Sequence, residues 1–307
     1  MSAAADERTP LLYTSPEQTT VEGAVISIGN FDGVHRGHRE LLGRMSELAG
    51  ELGRPSLVVT FFPPAKVVFS GATYLSSAEE KAALLGAFAP TAIVMIPFSR
   101  EYAMTDKERF VAQLAALTPD TIIVGEDFRF GHDRAGSIVD LRRVARRVEA
   151  FGLVTVGGEV VKSSSIRTYL EAGDLDRANR LLGEPYPVSG EVITGARRGR
   201  TIGYPTANVV TGERKALPLG VYAVTVDTAR GRFGGMANVG PRPSFPEEPP
   251  SLEVHIFDFS GDLYGESMTT RFQHHLRTQR KFAGLDELKT QLAADEAAAR
   301  AWLNQGV

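Results

Sequence analysis

Cysteine is absent from the 307-residue chain. That excludes disulfides, thiolate catalysis and thiolate-bound zinc. It fits a reducing compartment, so a cytoplasmic location is expected. Long apolar runs are missing as well. None approaches the roughly 20 residues of a membrane span, and no membrane partner is expected. Neither sign of charge is in excess: 34 Lys and Arg face 37 Asp and Glu, leaving −3. A general pull toward nucleic acid or anionic lipid is therefore excluded. Met1 to Glu7 are Ala-rich and acidic, with none of the basic and apolar regions of a secretory signal. Residues 1–20 are expected to be a loose N-terminus. What remains is ordinary globular composition, 43% hydrophobic and 23% charged, long enough for two domains.

Apolar runs alternate with helical patterns over the first half. Strands are expected at Val25–Ile28, 57–61, 92–96, 121–124 and 153–156, and helices at 37–52, 77–88, 105–117 and 137–150. That rhythm predicts an α/β domain over 21–184, with a parallel sheet and ligands at the carboxyl ends of its strands. A helix is expected from 168 to 182. From 188 the rhythm changes to short alternating strands punctuated by Gly, Pro and Asn, at 188–193, 220–225, 232–238, 252–257 and 268–272. This predicts a small antiparallel β-barrel over 185–307. A closing helix spans 285–302, with Leu285, Leu288, Leu292 and Ala299 on one stripe.

The first half is organised around residues 25–38. A buried strand breaks at Gly29-Asn30-Phe31-Asp32-Gly33 and hands over to a helix beginning near Gly37. His35 and His38, two of only six histidines, sit at that helix N-terminus, where free N–H groups and the helix dipole favour anions. Two imidazoles three apart suit a phosphate. Gly125-Glu126-Asp127-Phe128-Arg129-Phe130-Gly131 follows the fourth strand. On pattern alone its aromatics either hold a flat ring or turn into the core. Ser163-Ser164-Ser165-Ile166-Arg167 precedes a helix and reads either as a polyphosphate site or as a serine N-cap. Arg142, Arg143, Arg146 and Arg147 read as a solvated helix face rather than a nucleic-acid patch, since no aromatics are interleaved.

In the second half, Gly195-Ala196-Arg197-Arg198-Gly199-Arg200-Thr201-Ile202-Gly203 suits a nucleotide diphosphate, although alone it reads as a surface hairpin. Thr206 and Asn208, two apart on an extended segment, offer hard oxygens to Mg²⁺. Glu253 is an acid in the apolar strand Leu252-Glu253-Val254-His255-Ile256. It reads either as a general base or as simple period-2 exposure.

Together these motifs resemble the prokaryotic bifunctional riboflavin kinase/FMN adenylyltransferase family, also called FAD synthetase, from about residue 23 to 303. The resemblance rests further on Pro205-Thr206-Ala207-Asn208, Gly220-Val221-Tyr222-Ala223, Ala237-Asn238-Val239-Gly240 and Leu263-Tyr264-Gly265. It implies two steps, riboflavin to FMN with MgATP in the C-terminal module, and transfer of AMP from ATP to FMN, giving FAD with pyrophosphate released, in the N-terminal one. It implies Glu253, His35 and His38 as catalytic. Asn30, Gly37, Ser164, Arg167, Gly195 and Arg200 would hold ATP or its phosphates. Asp127, Phe128, Asn238 and Arg277 would hold flavin, and Thr206 and Asn208 would ligate Mg²⁺. ATP is the co-substrate, FMN and FAD are products, and a monomer or weak oligomer without nucleic acid is expected.

The chain departs from the family pattern at Phe61-Phe62-Pro63-Pro64-Ala65, where Pro64 replaces a histidine and Phe62 an acid. Lys162-Ser163 replaces a serine pair, Ser164 stands where threonine is usual, and Pro243-Ser244 replaces Pro-Thr. The marked departures fall in the adenylylation module. They leave open a second reading, a riboflavin kinase with a weakened or inactive N-terminal module. A third reading, a non-catalytic flavin- or nucleotide-binding regulator, fits less well, because binding alone needs no base at Glu253.

Overall fold

The computed structural model describes residues 9–195, 199, 202–240 and 250–305. Chain contacts divide it after Ser163 into units 1–163 and 164–307. The first contains β1 (Leu11–Tyr13), β2 (Val25–Ile28), α1 (Arg36–Leu52), β3 (Ser56–Phe62), α2 (Ala65–Ser70) and α3 (Ala78–Gly86). It continues with β4 (Ala92–Pro97), α4 (Lys107–Ala115), β5 (Thr121–Gly125), α5 (Ile138–Leu141), β6 (Arg147–Phe151), β7 (Thr155–Val156) and β8 (Glu159–Val160). Six strands form one parallel sheet in the order β1-β4-β3-β2-β5-β6. Every residue of β2 is buried, as a central strand covered on both faces requires. Val25, Val58, Ile93 and Ile123 pack against Leu42 and Met45 of α1 and Leu85 of α3. Ile26, Ile28, Leu57, Val59 and Val94 pack on the opposite face with Phe110 and Leu114 of α4. The chain winds one way from β2 through β3 to β4 and returns to the other side of β2 with β5. The switch point therefore lies between β2 and β5, where such sheets bind ligands.

Four expectations are corrected. Residues 137–150 are not one helix. Leu141, Val144, Ala145 and Val148 do have helical spacing, but the helix stops at Leu141. The Arg146 and Arg147 amides then pair with the Pro119 and Asp120 carbonyls, and 147–151 joins the sheet as β6. The four arginines thus do not share a helix, but they are exposed, and Arg143 and Arg147 pair with Glu108 and Glu149. Residues 153–156 are not the fifth sheet strand. Thr155 and Val156 pair with β8 in a separate hairpin, whose Gly157-Gly158 turn has positive φ at both positions, a geometry that favours glycine. The expected helix over 168–182 is two, α6 (Ser163–Glu171) and α7 (Leu175–Leu182). Gly173 breaks it at φ 73°, and Asp174 caps the restart by accepting the Arg177 N–H at 3.2 Å. Finally, Leu285 is exposed rather than on the buried stripe. In addition, residues 11–13, inside the stretch expected to be loose, pair with β4 as an edge strand.

The second unit is a closed antiparallel barrel, built from β9 (Tyr186–Ile193), β10 (Ala207–Val210), β11 (Gly220–Thr228), β12 (Gly231–Gly240), β13 (Ser251–Ile256) and β14 (Ser267–Arg277) in the order β10-β13-β12-β11-β14-β9. A last helix, α8 (Leu285–Leu303), follows. It packs through Leu292, Ala299 and Leu303 on a patch formed by Ala223, Met236 and Phe257.

Candidate active sites

The turn after β2 is held from three directions. Thr60 Oγ1 donates to the Asn30 carbonyl at 3.1 Å, and Lys81 Nζ donates to the same oxygen at 2.8 Å and to the Phe61 carbonyl at 2.7 Å. The buried Asp32 carboxylate accepts the Leu75 and Ser76 amides at 2.8 and 3.2 Å. Ser76 Oγ accepts from Gly33 N, and Ser163 Oγ donates to the Asp32 carbonyl. These bonds hold Phe31 and Val34 at φ of 44° and 39°, a conformation that β-branched and aromatic residues enter only under constraint.

His35 caps α1, its Nδ1 accepting the His38 N–H at 3.4 Å. The acceptor role of Nδ1 leaves Nε2 as the nitrogen that carries the proton in the neutral ring. The two imidazoles stack with centroids 3.6 Å apart, and Phe31 meets His38 edge-on at 5.2 Å. Burial draws His35 down to about 4. Burial, His35 and the Lys81 charge hold His38 well below the ordinary imidazole value. At neutral pH the turn therefore offers two uncharged N–H donors at a helix N-terminus, with Gly37 half-buried beside the His35 ring. The Asn30 side chain is exposed beside them.

Across the switch point lies the loop after β5. Phe130 is in the core, and half-buried Phe128 stacks on it at 5.7 Å. Asp127 is exposed, with Oδ1 close over Gly125. At the departures, Pro64 is buried, and Phe62 lies against Tyr74 with the Lys81 ammonium 5.6 Å from its ring centre. Lys162 is exposed. Ser164 and Arg167 lie on α6, Arg167 buried.

In the barrel, one register row crosses five strands: Asn208 of β10, Glu253 of β13, Asn238 of β12, Val221 of β11 and Arg277 of β14. Cross-strand partners present their side chains to the same face. Along β13, Leu252, Val254 and Ile256 fill the barrel interior, while Glu253 and His255 alternate outward. The outward face is not open solvent at that point. It lines a cavity of about 650 Å³ shared with Thr206, Asn238, Arg277 and Leu292. Both readings of Glu253 thus meet, since period-2 exposure delivers it into the cavity. Gln279 donates to Asn238 Oδ1 at 2.8 Å. Arg277 is clamped to buried Asp295 of α8 by three bonds of 2.8 to 3.0 Å.

Glycines make room for the oxygen donors. A Cβ at Gly195 would strike the Asn208 amide, and one at Gly199 would strike the Tyr204 carbonyl, with Thr206 Oγ1 at 3.7 Å. Thr206, Asn208 and Glu253 are all oxygen donors, the set a hard divalent cation takes, so these residues fit Mg²⁺. Arg200 and Pro243-Ser244 lie outside the described residues.

Two residues escaped sequence reading. His255 Nδ1 donates to the Pro205 carbonyl at 2.7 Å and steadies the segment entering Thr206. Its signal was its place two residues from Glu253. Lys81 is fully buried. Its signal was a lysine on the inward stripe of an amphipathic helix, four residues before Leu85.

Comparison with known proteins agrees with both halves. The family model for FAD synthetase matches residues 17–165, and that for riboflavin kinase matches 182–303. A bifunctional riboflavin kinase/FMN adenylyltransferase of Pseudomonas fluorescens is 39% identical over 91% of this chain and 93% of its own. One from Escherichia coli K12 is 36% identical over 92% and 94%. A solved Streptococcus pneumoniae chain described as a macrolide-efflux protein superposes with a TM-score of 0.84 at 31% identity, covering 96% of this chain and 100% of that one. Among the described residues no helix is long and apolar enough to cross a membrane. Similarity of this closeness, sustained over nine-tenths of the length, makes the chain a member of the bifunctional riboflavin kinase/FMN adenylyltransferase family.

Proposed function

We propose that the chain phosphorylates riboflavin to FMN at the barrel cavity and adenylylates FMN to FAD at the His35–His38 turn, using ATP in both steps. The observation that carries this reading is that Glu253, Asn238 and Thr206 line a cavity of flavin size, with Asn208 paired to Glu253 on the neighbouring strand. In the first reaction Glu253 accepts the proton of the terminal ribityl hydroxyl as its oxygen attacks the γ-phosphorus and the bond to ADP breaks. Thr206 and Asn208 would hold Mg²⁺, which neutralises phosphate charge when bound. Gly195 and Arg200 belong to the phosphate loop, and Asn238 and Arg277 border the flavin.

In the second reaction the FMN phosphate is already an anionic nucleophile and needs no base. It attacks the α-phosphorus of ATP, and pyrophosphate leaves. The protein's task is to bring two anions into line and stabilise the charge that develops. His35 and His38 supply neutral N–H donors, and Asn30, Gly37, Ser164 and Arg167 are assigned to ATP and its phosphates. Asp127 and Phe128 border the flavin. The adenylylation module runs to residue 184 with α6 and α7 included, and the kinase module follows from 185. The chain works as a cytoplasmic monomer or weak oligomer.

Glu253→Gln tests the reading. FMN formation from riboflavin falls at least 100-fold, of the order a general base supplies, while FAD formation from added FMN persists. An unchanged kinase rate removes Glu253 from the mechanism.

A further inference from the structure

Lys81 is a buried charge to which neither proposed reaction assigns a role. No part of its side chain reaches solvent. Burying an ammonium is costly unless it is paired, and its hydrogen-bond partners here are two neutral carbonyls, Asn30 at 2.8 Å and Phe61 at 2.7 Å. These sit just past β2 and at the end of β3, the two strands that lead into the His35–His38 turn and the Phe62-Pro63-Pro64 segment. A neutral donor would satisfy such carbonyls without a buried charge, and Thr60 already serves Asn30 in that way. The charged groups around Lys81 are few. Asp32 acts on it from the β2 turn, its own charge acts on His38 of α1, and Glu80 on its own helix accepts the Ser77 amide.

We propose that Lys81 is a positioning residue for adenylyl transfer: its ammonium ties the carboxyl ends of β2 and β3 together and sets a fixed positive charge beside the His35–His38 turn, where two phosphate-bearing substrates must meet. The inference rests on reading that turn as the adenylyl-transfer site. Two effects follow from one group. The tie sets the path of Asn30 and of the turn behind it. The charge acts on His38, helping to keep its ring an uncharged donor, and adds attraction for anions that a neutral tie lacks. Burial also draws Lys81 itself down to about 8, against the opposing pull of Asp32, so its charge is lost just above physiological pH.

The test is the pH profile of kcat/KM for FAD formation from FMN and ATP, in wild type, Lys81→Arg, Lys81→Met and His38→Ala. FMN formation in the same preparations is the internal reference. The wild type is expected to lose FAD formation as pH rises through about 8 to 9 while FMN formation holds. Arginine does not titrate in that range, so Lys81→Arg abolishes the alkaline limb. Lys81→Met lowers kcat/KM roughly 100-fold and moves the acid limb to higher pH, because His38 protonates more readily without the neighbouring charge. A wild-type profile flat to about pH 9.5, or variants that scale the rate by one factor at every pH, overturns the proposal. Should either variant fail to fold, the wild-type alkaline limb, present for FAD and absent for FMN, decides. If His38→Ala leaves FAD formation intact, the reading of the turn has failed, a result distinct from any outcome at Lys81.

Discussion

Replacing Asp295 by alanine removes the carboxylate that holds Arg277 against α8. Asp295 is 4% exposed and Arg277 20%. The carboxylate accepts three N–H bonds from Arg277 and a fourth from Gln291 at 2.7 Å. Removing one partner of a buried pair costs about 3 to 5 kcal/mol, since the other charge stays behind unpaired. The lower end applies here, because Arg277 keeps its bond to the Thr278 carbonyl and its place over Phe282. About 3 kcal/mol in a unit of this size lowers its Tm by roughly 10 °C. Arg277 and Asp295 also line the cavity, so the KM for riboflavin rises. FAD formation from added FMN below the new Tm is unaffected. Thermal melts read beside both product rates check this. A barrel transition within about 2 °C of wild type with an unchanged riboflavin KM refutes the reasoning, and so does a parallel loss of both activities.

Acid destabilises the first unit. His35 titrates at about 4 in the fold against 6.5 when free. The unfolded chain thus takes up the proton first, and stability present above pH 6.5 declines as pH falls toward 4. By pH 5 the loss from this group is about 2 kcal/mol, measurable by urea unfolding at pH 7.5 and 5. Equal midpoints would contradict the burial argument. Gly195→Ala drives a methyl into the Asn208 amide. It should raise the Mg²⁺ concentration that half-saturates FMN formation and leave FAD formation alone; a Mg²⁺ titration of both rates decides.

What was legible in the chain is what local pattern controls. Val25–Ile28 is apolar at every position, and only a strand buried on both faces tolerates that. Strand β13 alternates cleanly, and Leu252, Val254 and Ile256 point inward as their spacing requires. Residues 141–148 misled because their apolar spacing is helical, while long-range pairing with the Pro119-Asp120 segment pulled the chain into the sheet. The residue types at each site were visible, but not their assembly. Asn208, Glu253, Asn238 and Arg277 are scattered over 70 positions, and only strand register aligns them. Lys81 was readable only as an anomaly on α3, because its partners are backbone carbonyls, which carry no sequence signal.

The most direct test of the account is a chromatographic time course of the purified protein with ATP and Mg²⁺, fed riboflavin in one reaction and FMN in another. The account predicts FMN followed by FAD in the first and FAD in the second, with Phe62 and Pro64 compatible with turnover. FMN without FAD in the first, and no FAD in the second, would contradict it and leave a kinase joined to an inactive adenylyltransferase fold.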